Sequence, residues 1–131
     1  MKKSYRFIVV DDDPFNNIVC KYTILKFDAD ADIQLFTDPE KALAAIQEQF
    51  SNKTESLNTI LFLDINMLGI SGWEFLNVFE SFNEKIHQQF AIYILSSSIN
   101  PTDKINADVN PFVKGYYPKP LSLETINLLF R

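Results

Sequence analysis

The chain has one cysteine, Cys20, and one histidine, His87. A lone thiol excludes an internal disulfide and a Cys-rich zinc site. Its neighbours Ile18, Val19, Tyr22 and Ile24 place Cys20 as a buried helical thiol rather than a reactive one. No apolar run approaches the roughly 18 residues that a membrane span needs. The start, Met1-Lys2-Lys3-Ser4-Tyr5-Arg6, leads into too few apolar residues for a secretory signal and lacks a small-residue cleavage site. The chain is therefore expected in the cytoplasm, where the glycosylation sequon at Asn52-Lys53-Thr54 has no consequence. A basic excess is missing too. With a net charge of −5 and a pI near 4.7, the electrostatic footprint of direct nucleic-acid binding is absent. Linkers, repeats and low-complexity tracts are also lacking, so residues 1–131, 47% hydrophobic, are expected to form one domain around one core, with no output domain.

What is present is a regular alternation of strand and helix signals, which argues for an α/β domain. Strands are expected at 6–10, 33–36, 59–63, 91–95 and 115–117. The first helix runs from 14 to about 27, opened by Asp13 as cap and Pro14 at its first position, with Phe15, Ile18, Val19, Tyr22 and Leu25 at helical spacing. Thr37 or Asp38 caps the second, with Pro39 in its first turn and Ala42, Leu43 and Ile46 inward. Residues 51–58 are polar and aperiodic, hence a loop. A third helix runs from Trp73 to about Phe82. Asn100-Pro101 opens the fourth, and Ser122 caps a last one carrying Ile126, Leu129 and Phe130 inward. That makes five strands and five helices.

Two apolar runs end abruptly in aspartate: Arg6-Phe7-Ile8-Val9-Val10 in Asp11-Asp12-Asp13, and Thr59-Ile60-Leu61-Phe62-Leu63 in Asp64. Continuous apolar runs read as strands buried on both faces of a parallel sheet, and ligands of open parallel sheets sit beyond the strands' carboxyl ends. Carboxylates gathered there repel one another unless a cation holds them. Hard oxygen donors favour magnesium, with Asp11, Asp12, Asp64 and the backbone carbonyl of Asn66 as the protein's share. Ser96 and Lys119, at two further strand ends, supply the hydroxyl and ammonium that a phosphoryl group needs. Asp64, being central, is the natural nucleophile for an aspartyl phosphate. Asp13 reads as a helix cap alone.

At these residues the chain resembles the response-regulator receiver domain of two-component signalling. The resemblance rests on Ile8-Val9-Val10-Asp11-Asp12, on Leu63-Asp64-Ile65-Asn66-Met67 with Gly69 and Gly72, on Ile94-Leu95-Ser96, and on Gly115-Tyr116-Tyr117-Pro118-Lys119-Pro120, in order over residues 5–130. It implies a flavodoxin-like, doubly wound parallel sheet in the order 2-1-3-4-5, an order taken from the family and not from the residues. It further implies that Asp64 accepts phosphate from a sensor histidine kinase or a histidine phosphotransfer protein. Asp12, Asp64 and the Asn66 carbonyl would bind magnesium directly, Asp11 largely through water. Ser96 would bond the phosphoryl oxygen and Lys119 pair with it. Tyr116 matches the aromatic that turns inward when the Ser96 loop is drawn to the phosphate, switching the surface of the fourth helix, fifth strand and fifth helix towards a downstream protein. A cis Lys119-Pro120 bond is implied, and Asn66 and Ser98 are implied to set the autodephosphorylation rate. Such a domain is not an enzyme beyond its own phosphoryl transfer and autodephosphorylation.

The chain departs from the family at a few positions. Leu68 stands where proline is common, a change expected to loosen the loop without touching the chemistry. Ser97 is small enough for its place. Pro118 fits a strand only at a sheet edge. The 51–58 loop lengthens the spacing between acidic motifs at little cost. His87, in the polar stretch Glu84–Gln88, reads as a surface residue and not a phosphodonor. Asp28, Asp30 and Asp32 imitate a calcium loop, but Ile33 and Pro39 replace its glycine and glutamate, so that reading fails. A dehalogenase-type phosphatase needs a second carboxylate where Asn66 stands, and room for a cap. A receiver-shaped interaction module that works without phosphorylation remains the alternative.

Overall fold

The structure, a computed structural model, describes residues 5–51, 58–97 and 100–130. Five parallel strands form one sheet: β1 (Arg6–Val10), β2 (Asp32–Phe36), β3 (Thr59–Asp64), β4 (Phe90–Ser96) and β5 (Val113–Pro118). Their order is β2-β1-β3-β4-β5. The central strand β3 is buried at all six positions, as its unbroken apolar run requires. The helices are α1 (Pro14–Phe27), α2 (Pro39–Phe50), α3 (Gly72–Glu80), α4 (Glu84–His87), α5 (Pro101–Val109) and α6 (Leu123–Phe130).

Alternate strand residues feed two cores. Ile8, Val10, Leu61, Leu63, Ile92 and Ile94 meet α2, α3 and α5 on one face. Phe7, Val9, Ile60, Phe62, Ala91 and Leu95 meet α1 and α6 on the other. Phe130 of α6 packs edge-on against Phe7, Phe27 and Tyr93, which locks the last helix to the sheet. Asp13, Asp38 and Asn100 cap α1, α2 and α5, each followed by proline, and the Lys119–Pro120 peptide is cis. β5 is the edge strand that Pro118 demands.

Three expectations are corrected. Six helices, not five, stand among the described residues: the stretch Glu84–His87 forms a single helical turn, capped by Asn83 and anchored by buried Ile86. His87 within it is half-buried and packed rather than freely exposed. Its ring lies 5.0 Å from that of Phe79 and 4.6 Å from that of Phe112, and Nε2 is 2.7 Å from the Phe79 carbonyl oxygen. The third correction is the face of α1. Asn17, Cys20, Ile24 and Phe27 are buried, whereas Phe15 (72%), Ile18 (48%) and Tyr22 (61%) are exposed. This helix is apolar nearly all round, so spacing alone offered two faces. Loop residues 52–57, with the sequon at Asn52, and Ser98 lie outside the described residues.

Candidate phosphoacceptor site

The carboxyl ends of β1 and β3, side by side in the sheet, deliver the acids. Asp11 (2% exposed) and Asp64 (4%) are buried, and Asp12 is half-buried at the rim. One oxygen from each of the three can be chosen so that all lie within 4.8 Å of one another. Lys119, reaching over from the end of β5, places Nζ 2.7 Å from Asp11 Oδ2 and 3.3 Å from Asp64 Oδ2. Its backbone N–H donates to the Ser96 carbonyl at 2.8 Å, so Ser96 sits directly beside it, fully buried at the end of β4. Three carboxylates against one ammonium leave a net charge of −2. An all-oxygen set of that charge fits a hard divalent cation such as magnesium.

Electrostatics follow from this crowding. Burial, and then the charge of Asp11, push Asp64 up to about 6 against the opposing pull of Lys119 and the Asn66 N–H. Burial favours the neutral amine of Lys119, but its bonds to Asp11 and Asp64 and their charges outweigh that, and its pKa rises. Burial, reinforced by Asp11, pushes the Cys20 thiol up to about 12, in keeping with an inert core position.

Of the other expected residues, Asn66 is exposed and donates its N–H to Asp64 Oδ1 at 3.2 Å. Tyr116 (9% exposed) is turned into the core, in the same cluster as Ile94 and Ala107. Asp13 caps α1 through the Phe15 N–H and donates its own N–H to Asp11 Oδ1 at 2.9 Å.

Three supports escaped the sequence reading. Asn16 Nδ2 bonds Asp11 Oδ2 at 2.6 Å. Asn17 Nδ2 bonds the carbonyls of Asp11 (3.0 Å) and Phe36 (3.2 Å), tying the ends of β1 and β2 together. The Leu68 N–H donates to Asp12 Oδ2 at 2.8 Å. The asparagine pair was visible as two polar residues at the start of an apolar helix. The Leu68 amide left no side-chain signal.

No protein-family model matches the chain, and no curated protein does. Solved structures do match over nearly its whole length. It is similar to a two-component response regulator from Cytophaga hutchinsonii, 28% identical, covering 98% of this chain and 96% of that one with a TM-score of 0.88. A response regulator receiver protein from Dyadobacter fermentans is 24% identical, with coverage of 96% and 94% and a TM-score of 0.85. The Vibrio cholerae chemotaxis protein CheY4 is 21% identical, with coverage of 96% and 95% and a TM-score of 0.72. The class that this fold defines is the response-regulator receiver domain, and the chain has the fold of that class over nearly its whole length.

Proposed function

We propose that this receiver takes a phosphoryl group on Asp64 and that the modification changes which protein it binds. The observation that carries the reading is the bridge of Lys119 between Asp11 and Asp64 at the sheet's carboxyl edge. An Asp64 carboxylate oxygen would attack phosphorus as the bond to the donor's imidazole nitrogen breaks, the electron pair leaving with that nitrogen. Lys119, already within reach of Asp64, would move its ammonium onto the new phosphoryl oxygens, and the Ser96 hydroxyl would donate to another. Asp11, Asp12, Asp64 and the Asn66 carbonyl would hold magnesium, which when bound offsets the charge of the acids and of the incoming phosphoryl group. The chain would thus catalyse only its own phosphorylation and dephosphorylation. An added charge of roughly −1.5 to −2 is a local change with a distant readout, carried by Ser96, Tyr116 and the surface of α5, β5 and α6.

The donor is read as a histidine kinase or a histidine phosphotransfer protein in the cytoplasm. Exposed Phe15, Ile18 and Tyr22 line one face of α1 beside the site, which supports a helical partner packing there. Among the described residues no helix is long and apolar enough to cross a membrane.

Acetyl phosphate with magnesium should add one phosphoryl group to the intact mass of the wild type and none to Asp64→Asn. An unlabelled wild type, or an equally labelled variant, would leave the interaction-module alternative standing. Phe15→Ala and Ile18→Ala should each change stability by no more than about 0.5 kcal/mol, since both side chains face solvent. Together they should slow transfer from a histidine donor several-fold and leave acetyl phosphate labelling unchanged. Equal slowing with both donors would place their effect in the site itself.

A further inference from the structure

We infer that the backbone N–H of Leu68 is a positioning group for the cation site, holding Asp12 in place before a cation arrives. This rests on the magnesium reading above. The Leu68 side chain is 85% exposed, so packing does not explain its position in the loop. Its amide lies 2.8 Å from Asp12 Oδ2, across 56 residues of sequence. Asp12 is the least buried of the three acids, and this hydrogen bond fixes its carboxylate.

The same loop is pinned at two more points. The Asn66 N–H donates to Asp64 Oδ1 at 3.2 Å, and the Gly72 N–H donates to the Ile65 carbonyl at 2.8 Å. The Leu68 amide therefore ties the loop that follows Asp64 to the turn that carries Asp12, while the Asn66 amide holds Asp64 within its own loop. A carboxylate has about four lone-pair sites, so an amide on one oxygen leaves ample capacity for a cation. The amide's partial positive charge also lowers the repulsion among three acids held close together. Without it Asp12 would turn to solvent, and cation binding would have to reorder it. A proline at position 68 has no N–H to give. On this inference leucine at position 68 contributes a donor to the site, where the sequence suggested only a looser loop.

Calorimetric titration of magnesium chloride separates the possibilities. Leu68→Ala, which keeps the amide, should bind within twofold of wild type. Leu68→Pro should bind roughly tenfold more weakly, near the low end for a hydrogen bond to a charged group. Equal or tighter binding by the proline variant overturns the inference, as does equal weakening by alanine. A wild type that takes up no magnesium fails the cation reading itself, and the wild-type curve alone reveals it. Amide hydrogen exchange on the wild type tests the same point without substitution. The Leu68 N–H should be protected both without and with magnesium, and loss of protection on adding the cation would make the amide a competitor instead.

Discussion

Replacing Gly72 with alanine is expected to lower stability by about 2 kcal/mol and the melting temperature by roughly 7 °C. Gly72 is the first residue of α3, where a Cβ would lie 2.7 Å from the Asp64 carbonyl oxygen and 2.8 Å from Ile65 Cα. Both obstacles are backbone at the end of β3, which is paired to β1 on one side and β4 on the other, so neither can step aside cheaply. Glycine to alanine inside a helix ordinarily gains up to about 1 kcal/mol; here the close approach reverses the sign. Function should suffer as well. Pushing the Asp64 backbone moves its carboxylate relative to Lys119, and acetyl phosphate labelling should slow roughly tenfold or more. Gly69→Ala is the control. At φ +86° it carries only a backbone penalty, on the order of 1–2 kcal/mol, with nothing within 4 Å of the added carbon. An alanine-72 variant that melts and labels like wild type would mean that α3 slides away from β3 without consequence.

The acids and the lysine were legible because each terminates an apolar run or lies between prolines, and the topology then brings such ends together. Asp11, Asp12, Asp64 and Lys119 meet for that reason. Strand order was supplied by resemblance, since β1, β3 and β4 are too uniformly apolar to rank themselves. The face of α1 was illegible for a related reason. Phe15, Ile18 and Tyr22 are spaced for burial as well as Cys20, Ile24 and Phe27 are, and what decides is the buried Asn17, whose amide serves the carbonyls at the ends of β1 and β2. The buried amide that meets these two carbonyls holds its own face inward and leaves the three apolar residues outside. His87 was misplaced because the single turn of α4 is too short to show periodicity. The Leu68 donor belongs to a class that side-chain reasoning cannot reach, because every residue except proline carries the same N–H.

Asp64→Asn is expected to be more stable than wild type by about 2 kcal/mol at pH 8 in the presence of a chelator, and the advantage should shrink as the pH falls. The carboxyl of Asp64 is held at about 6 in the fold, above an ordinary value of 3.8, chiefly by burial and then by Asp11. A folded state that binds its proton more readily than the unfolded chain gains stability as pH falls, so wild type recovers between about 6 and about 4. A shift of about two units corresponds to at most about 3 kcal/mol. Part of that is offset because asparagine pairs less well with Lys119, which keeps Asp11 at 2.7 Å in either case. Chemical denaturation of both proteins at pH 8, 6 and 4.5 isolates Asp64, because the capping acids contribute equally to each. A pH-independent difference, or a wild type more stable at pH 8, would show that Lys119 fully compensates the charge. Magnesium at pH 8 should narrow the gap, since a cation bound to the folded state stabilises it by mass action and the asparagine variant offers it one charge fewer. On the proposed reading, the same crowding that weakens the cation-free fold is what would draw a cation to the site and, with Lys119 released from Asp64, a phosphoryl group.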